Sequence, residues 1–205
     1  MKKNRNSSQN RQMGEVRIIA GLWRGRKLPV LNAEGLRPTT DRVKETLFNW
    51  LMTDTAGARC LDCFAGSGSL GFEALSRQAQ AVTFLEKFAD AAKILHKNLA
   101  SLGTDKGRVI YTDSLQFLAQ QNDAEPFDII FVDPPFHQGF VPQVLERLKQ
   151  NGWLADNALI YVETEKQHPP LLLPENWQVI KEKTAGQVVS RLIQTAPLNQ
   201  PVHSE

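Results

Sequence analysis

Cysteine is scarce: Cys60 and Cys63 are the only two in 205 residues. Two cannot build a disulfide framework, and a reducing cytoplasm is the expected compartment. They form C-x-x-C, but no second pair and no nearby histidine completes a zinc set, so they read as core thiols and no metal is expected. Long apolar runs are lacking too. The longest, such as residues 129–132, are four or five residues, where a membrane span needs about 20. Residues 1–14 begin with charge but carry no apolar stretch behind it, so they do not read as a secretory signal. What is present is 41% apolar and 22% charged, which suits one α/β domain with an appendage and excludes global disorder.

A net charge of +2 conceals an asymmetry. Residues 1–45 hold eleven Lys and Arg against four Asp and Glu; residues 46–205 hold thirteen against eighteen. A basic arm on an acidic body suggests a polyanionic partner gripped at one end. Residues 1–14 are expected to be a disordered basic tail, and residues 197–205 a frayed one. Residues 16–19 and 26–30 read as a hairpin around Gly21 and Gly25, carrying Arg17, Trp23, Arg24, Arg26 and Lys27. Pro38, Thr39, Thr40 and Asp41 then start a helix on which Val43, Leu47, Trp50 and Leu51 recur at helical spacing. Residues 15–56 thus form an N-terminal extension that brings Arg37, Arg42 and Lys44 after the hairpin.

From residue 57 the pattern is α/β. Candidate strands lie at 60–64, 81–86, 108–112, 127–132 and 158–163, with helical segments between. The clearest helix has Phe88, Ala92, Leu95, Leu99 and Leu102 and stops at Gly103. Alternating strand and helix implies a parallel sheet. Residues 128–132 are apolar without alternation after Asp128, which suits a central strand. Beyond Pro174 the helical pattern ends, and 177–183 and 188–195 read as a terminal antiparallel pair. The domain is expected to run to residue 196.

After the first of these strands, Leu61 to Gly71 contain G-x-G-x-x-G, where a tight turn lets a ligand approach the main chain. Glu86 ends the next strand, where a carboxylate can accept from both ribose hydroxyls of a nucleoside. Asp62, beside the glycine loop, welcomes a cationic aminoacyl tail and repels a pyrophosphate. S-adenosylmethionine therefore fits better than a nicotinamide dinucleotide, whose pyrophosphate sits on a helix N-terminus. Asp133-Pro134-Pro135-Phe136 follows the most apolar strand, and so shares the crevice at the carboxyl ends of the strands. Asp133 and the Pro134 carbonyl can accept the two N–H bonds of an exocyclic amine, with Phe136 stacked on the base.

LDCFAGSGSLG and DPPF resemble the cofactor and catalytic loops of class I amino-methyltransferases. RIIAGLWRGRKLPV and GLRPTTDRVKETLFNWL resemble, more specifically, the RsmD family of bacterial guanine-N2 methyltransferases of 16S ribosomal RNA. The resemblance runs from about Val16 to Thr195. It implies a Rossmann-like, mostly parallel seven-stranded sheet ending in an antiparallel hairpin. It also places S-adenosylmethionine on Asp62, Phe64, Ala65, Gly66 and Gly68, its ribose on Glu86 and its adenine near Asp113 and Ser114. Asp133, Pro134 and Phe136 become the catalytic set. The partner it implies is 16S ribosomal RNA inside small-subunit particles, with nearby ribosomal proteins aiding a monomeric enzyme and the extension facing RNA. A DNA adenine-N6 methyltransferase can use the same DPPF loop; only the N-terminal resemblance separates the two. A dehydrogenase explains neither Asp62 nor DPPF, and intact acidic and glycine positions argue against a decayed, non-catalytic RNA-binding module.

Overall fold

In the computed structural model, residues 13–31 and 41–196 are described. Arg37, most of the N-terminal tail and residues 197–205 lie outside them. The hairpin consists of β1 (Met13–Arg17) and β2 (Lys27–Leu31), paired antiparallel from Met13↔Leu31 to Arg17↔Lys27. Met13 and Gly14 belong to this strand, not to the tail. Ile18 still bonds across the hairpin, donating to the Arg26 carbonyl and accepting from the Gly25 amide, but Ile19 leaves it, because its amide donates to the Glu73 carboxylate instead of to a strand partner. Next, α1 (Asp41–Trp50) buries Leu47 and Phe48.

The body follows as β3 (Arg59–Asp62), α2 (Ser69–Ser76), β4 (Ala81–Glu86), α3 (Ala89–Leu102), β5 (Gly107–Tyr111), α4 (Ser114–Leu118), β6 (Phe127–Val132), α5 (Phe140–Gln150), β7 (Leu154–Glu165), β8 (Trp177–Ala185) and β9 (Val188–Thr195). These strands form one seven-stranded sheet in the order β5-β4-β3-β6-β7-β9-β8. The first five are parallel; β9 pairs antiparallel with both β7 and β8. The outermost strand, β8, has a register shift between Val179 and Lys181.

Each face of the sheet has its own core. On one, Ile129 and Phe131 pack with Phe48, Phe72, Phe84 and Tyr161. The hairpin adds Val16, Ile18, Leu28 and Val30 to the same cluster, so the extension is built onto the body's own core. On the other, Ile130 and Val132 meet Leu61, Ile160 and Val144 of α5. Burial of alternate β6 residues on opposite faces accounts for the absence of alternation in that strand. Cys60 and Cys63 are buried on opposite faces, which separates the two thiols of C-x-x-C. No helix among the described residues is long and apolar enough to cross a membrane.

Candidate active site

The sheet reverses direction of winding between β3 and β6, and the loops leaving these two central strands face one another across a crevice of about 430 Å³. This is the position where open α/β sheets bind ligands. One wall is the glycine loop. Gly68 precedes α2 with φ of +74°, and a Cβ there would stand 2.5 Å from the Phe72 ring and 2.6 Å from Leu95. Only glycine meets both conditions. At Gly71 a Cβ would lie 2.2 Å from Phe84, so the third glycine seats α2 against β4.

Asp62 lies buried beneath this loop and accepts the Gly71 amide at 3.2 Å. Burial pushes its carboxyl up to about 7; the Gly71 amide opposes this, the Glu86 charge adds to it, and the Phe64 amide opposes it. Asp62 thus already occupies an amide of the α2 N-terminus, the group a pyrophosphate oxygen would need. Glu86 reaches across from β4, accepting Gly66 N at 2.8 Å with Oε2 and Phe88 N at 2.7 Å with Oε1. Each oxygen keeps a second lone pair for a ribose hydroxyl. Asp113 caps α4 by accepting the Leu115 and Gln116 amides, and Ser114 donates to the Cys63 carbonyl. Three carboxylates, apolar walls from Phe64 and Leu85, and an already bonded helix start suit a cationic nucleoside without phosphate.

Across the crevice, β6 delivers Asp133-Pro134-Pro135-Phe136. Pro134 is buried, Asp133 and Phe136 are half-buried, and Phe136 joins neither core cluster, so its ring is free to line the crevice. All the residues expected from sequence around the cofactor and the target amine therefore meet here, apart from Gly68, which sits behind the loop against Phe72. Lys87, Phe88 and Phe140 also line the crevice, unforeseen. Phe88 was expected on the apolar stripe of α3, but it is the extended N-cap residue and 59% exposed, turned to the site and not to the core. Lys87 Nζ lies 5.3 Å from its ring centroid and 5.8 Å from that of Phe140. The one available signal was position, directly after Glu86. Among the described residues no group of His, Cys, Asp and Glu is placed to hold a metal ion.

The expected RNA-binding residues do not gather in one place. Lys44 is a correction: only 1% exposed, its ammonium donates to the Arg17 carbonyl and pairs with Asp41 at 3.4 Å, so it has no face for a phosphate. Its long stem spans the core under the hairpin while the head finds polar partners. The Trp23 amide donates to Ser76 Oγ and Arg26 Nη2 to the Ser101 carbonyl. Ser76 and Ser101 lie at the C-terminal ends of α2 and α3, whereas the crevice lies at their N-terminal ends. The tip with Trp23 and Arg24 is therefore about 12 Å, the length of α2, from the site. Arg24, Arg26 and Lys27 are exposed there, with Lys27 paired to Glu15 at 2.9 Å. Arg42, also exposed, stands at the N-terminal end of α1.

Residues 16–194 match the profile of a family described as "Conserved hypothetical protein 95". The chain is 61% identical over 183 residues to the ribosomal RNA small subunit methyltransferase D of Haemophilus influenzae, spanning 88% of this chain and 94% of that one. To the protein of the same name in Escherichia coli K12 it is 53% identical over 181 residues, spanning 88% and 90%. The chain belongs to the RsmD family. Among solved structures, the yhhF protein of Escherichia coli superposes with a TM-score of 0.82 at 52% identity, over 90% of this chain and 99% of that one. The fold is the Rossmann-like class I methyltransferase fold. SMU.776, solved with S-adenosylhomocysteine, shares that fold at 15% identity and a TM-score of 0.62, over 83% of this chain and 54% of that one.

Proposed function

We propose that this protein moves the methyl group of S-adenosylmethionine to the exocyclic N2 of a guanine in 16S ribosomal RNA. Its substrate is the RNA assembled into small-subunit particles, and it works as a monomer in the cytoplasm. The observation that carries this reading is the opposition of two loops in one crevice: Asp133 and Phe136 hang from β6 while the Gly66 loop and Glu86 stand across from them. The relatives named as small-subunit RNA methyltransferases support RNA as substrate.

S-adenosylmethionine, when bound, supplies a methyl carbon made electrophilic by its sulfonium. Glu86 holds the ribose hydroxyls, and Asp62 faces the ammonium of the aminoacyl tail. The N2 lone pair of guanine is delocalised into the ring and is a poor nucleophile. Asp133 and the Pro134 carbonyl accept its two N–H bonds, which favours a pyramidal nitrogen and aims the lone pair along the methyl–sulfur axis. As the N2–methyl bond formed, the methyl–sulfur bond would break and S-adenosylhomocysteine would leave as a neutral thioether; the Asp133 carboxylate stabilises the positive charge that grows on N2 until one of its protons is released. Phe136 stacks on the base, which must be unpaired or flipped out to reach this depth.

Mass spectrometry of 16S ribosomal RNA from cells lacking the protein tests the reading. One guanine-N2 methyl should disappear and return when purified protein and S-adenosylmethionine are added to the undermethylated particles. Unchanged guanine methylation, or a lost methyl on adenine, would overturn it.

A further inference from the structure

A second cavity, of about 280 Å³, opens between α1 and the turn that joins β8 to β9. Its mouth carries two exposed cations, Arg42 and Lys183, and Lys183 Nζ donates to Thr46 Oγ1 at 3.0 Å. Trp50 gives it an aromatic wall. At its base lie Tyr161 and Ser190, whose hydroxyls are 3.1 Å apart; the phenol also donates to Glu163 Oε1 at 2.6 Å. Burial, then the Glu163 charge, raises the phenol well above its ordinary value, so it stays protonated.

Its place in the sheet ties this cavity to the site. Tyr161 pairs with Phe131, two residues before Asp133, and both rings lie on the face that α1 covers. The cavity is thus one strand over from the catalytic loop, at the same end of the sheet. Cations at the mouth, an aromatic wall and hydroxyls at the base match a nucleotide, with its phosphate outside and its base within. Resting on the RNA reading above, we infer that this cavity holds a nucleotide flanking the methylated guanine: its phosphate lies between Arg42 and Lys183, and its base against Trp50. The enzyme thereby grips the strand beside the flipped base, and Arg42 acts here, apart from the hairpin tip.

Single-stranded RNA oligonucleotides with one guanine, and an abasic residue at each flanking position in turn, test the inference at low salt. Ala185→Phe fills the cavity from an exposed strand end and spares the core; unchanged S-adenosylhomocysteine binding checks its fold. With wild type, one abasic position should weaken binding about 10-fold, the worth of one stacked base. With Ala185→Phe, or Trp50→Ala, that position should cost nothing further. Lys183→Ala should weaken every oligonucleotide and lower the salt slope by about 0.7. If the abasic series gives the same profile with wild type and Ala185→Phe, the inference is wrong. If Ala185→Phe impairs methylation of whole particles but not oligonucleotide binding, the cavity receives a ribosomal protein and the nucleotide assignment falls. Failure of the RNA reading itself has a different signature: wild type would bind none of the oligonucleotides and methylate no particle, and the inference would fall with it.

Discussion

Glu73, fully buried in α2, accepts the backbone amide of Ile19 at 2.8 Å with Oε2 and that of Ala20 at 3.0 Å with Oε1. One carboxylate therefore fastens the chain leaving β1 to the helix that starts at the glycine loop. Arg77 closes the arrangement, its Nε 2.8 Å from Oε1 and its guanidinium 4.8 Å from the centre of the Phe48 ring on α1. Nearby, Ser76 Oγ accepts from Trp23 N and donates to the Ala20 carbonyl.

Glu73→Ala strands two buried amides and leaves Arg77 without its partner. It should cost about 3 kcal/mol or more of stability, and cleavage between residues 18 and 26 should become fast in limited proteolysis. Glu73→Gln retains one acceptor and should lose less. A hairpin as protease-resistant in Glu73→Ala as in wild type would show that the apolar packing of Leu28 and Val30 holds it unaided.

The raised carboxyl of Asp62 makes stability depend on pH. From its ordinary 3.8 up to about 7 the folded protein holds a proton that the unfolded chain releases. The associated stability is full below about pH 4 and is lost as pH rises through 7, at most roughly 4 kcal/mol. In the ligand-free protein, melting of wild type should fall relative to Asp62→Asn between about pH 4 and 8. S-adenosylhomocysteine, whose ammonium favours the ionised carboxylate, should bind wild type more tightly as pH rises through 7 and expel a proton below it. Calorimetry in buffers of different ionisation enthalpy measures that proton; no proton release at about pH 6 would remove Asp62 from the ammonium site.

Glu86 and Asp133 should part in opposite ways. Glu86→Ala should weaken S-adenosylhomocysteine binding by roughly 1.5–3 kcal/mol and lower the melting temperature as well, because the same carboxylate braces Gly66 and Phe88. Asp133→Ala should leave that affinity nearly unchanged while kcat falls by orders of magnitude, since the partner proposed for it is the reacting amine. Near-normal turnover by Asp133→Ala would exclude the proposed chemistry.

For the hairpin tip, the triple change Arg24, Arg26 and Lys27→Ala should weaken RNA binding across sequences. Its salt slope should fall by about 0.7–0.9 for each phosphate no longer neutralised. Methyl-donor affinity should not move, because the tip lies at the far ends of α2 and α3. Parallel log–log lines for the two proteins would mean these charges do not touch the RNA backbone.

Strands 81–86, 127–132 and 188–195 have the bounds that their sequence suggests, because burial on a sheet dictates where apolar residues recur. The crevice was legible because Asp62, Glu86 and Asp133 stand at or just past strand ends, with Gly66 in the loop that follows Asp62, and strand ends converge in such a sheet. Tertiary reach was not legible. Lys44 looks like a surface cation until the hairpin is laid over it, and Glu73 gives no sign that its partners lie more than fifty residues back. Nor could spacing show that Phe88 turns out of the helix, since that follows from its extended backbone at the cap.

The outermost strand, β8, ends the sheet in a way that affects the molecule's solubility. All its residues after Trp177 are exposed, Lys181, Glu182 and Lys183 follow one another along it, and the register slips beside Val179 and Ile180. A straight apolar margin would invite a strand of another copy to add on. Here a newcomer would meet side-by-side charges and a kink where Val179 and Ile180 are most tempting. The sheet is thereby stopped at seven strands, and its open margin is not a site where another copy of the chain can add on.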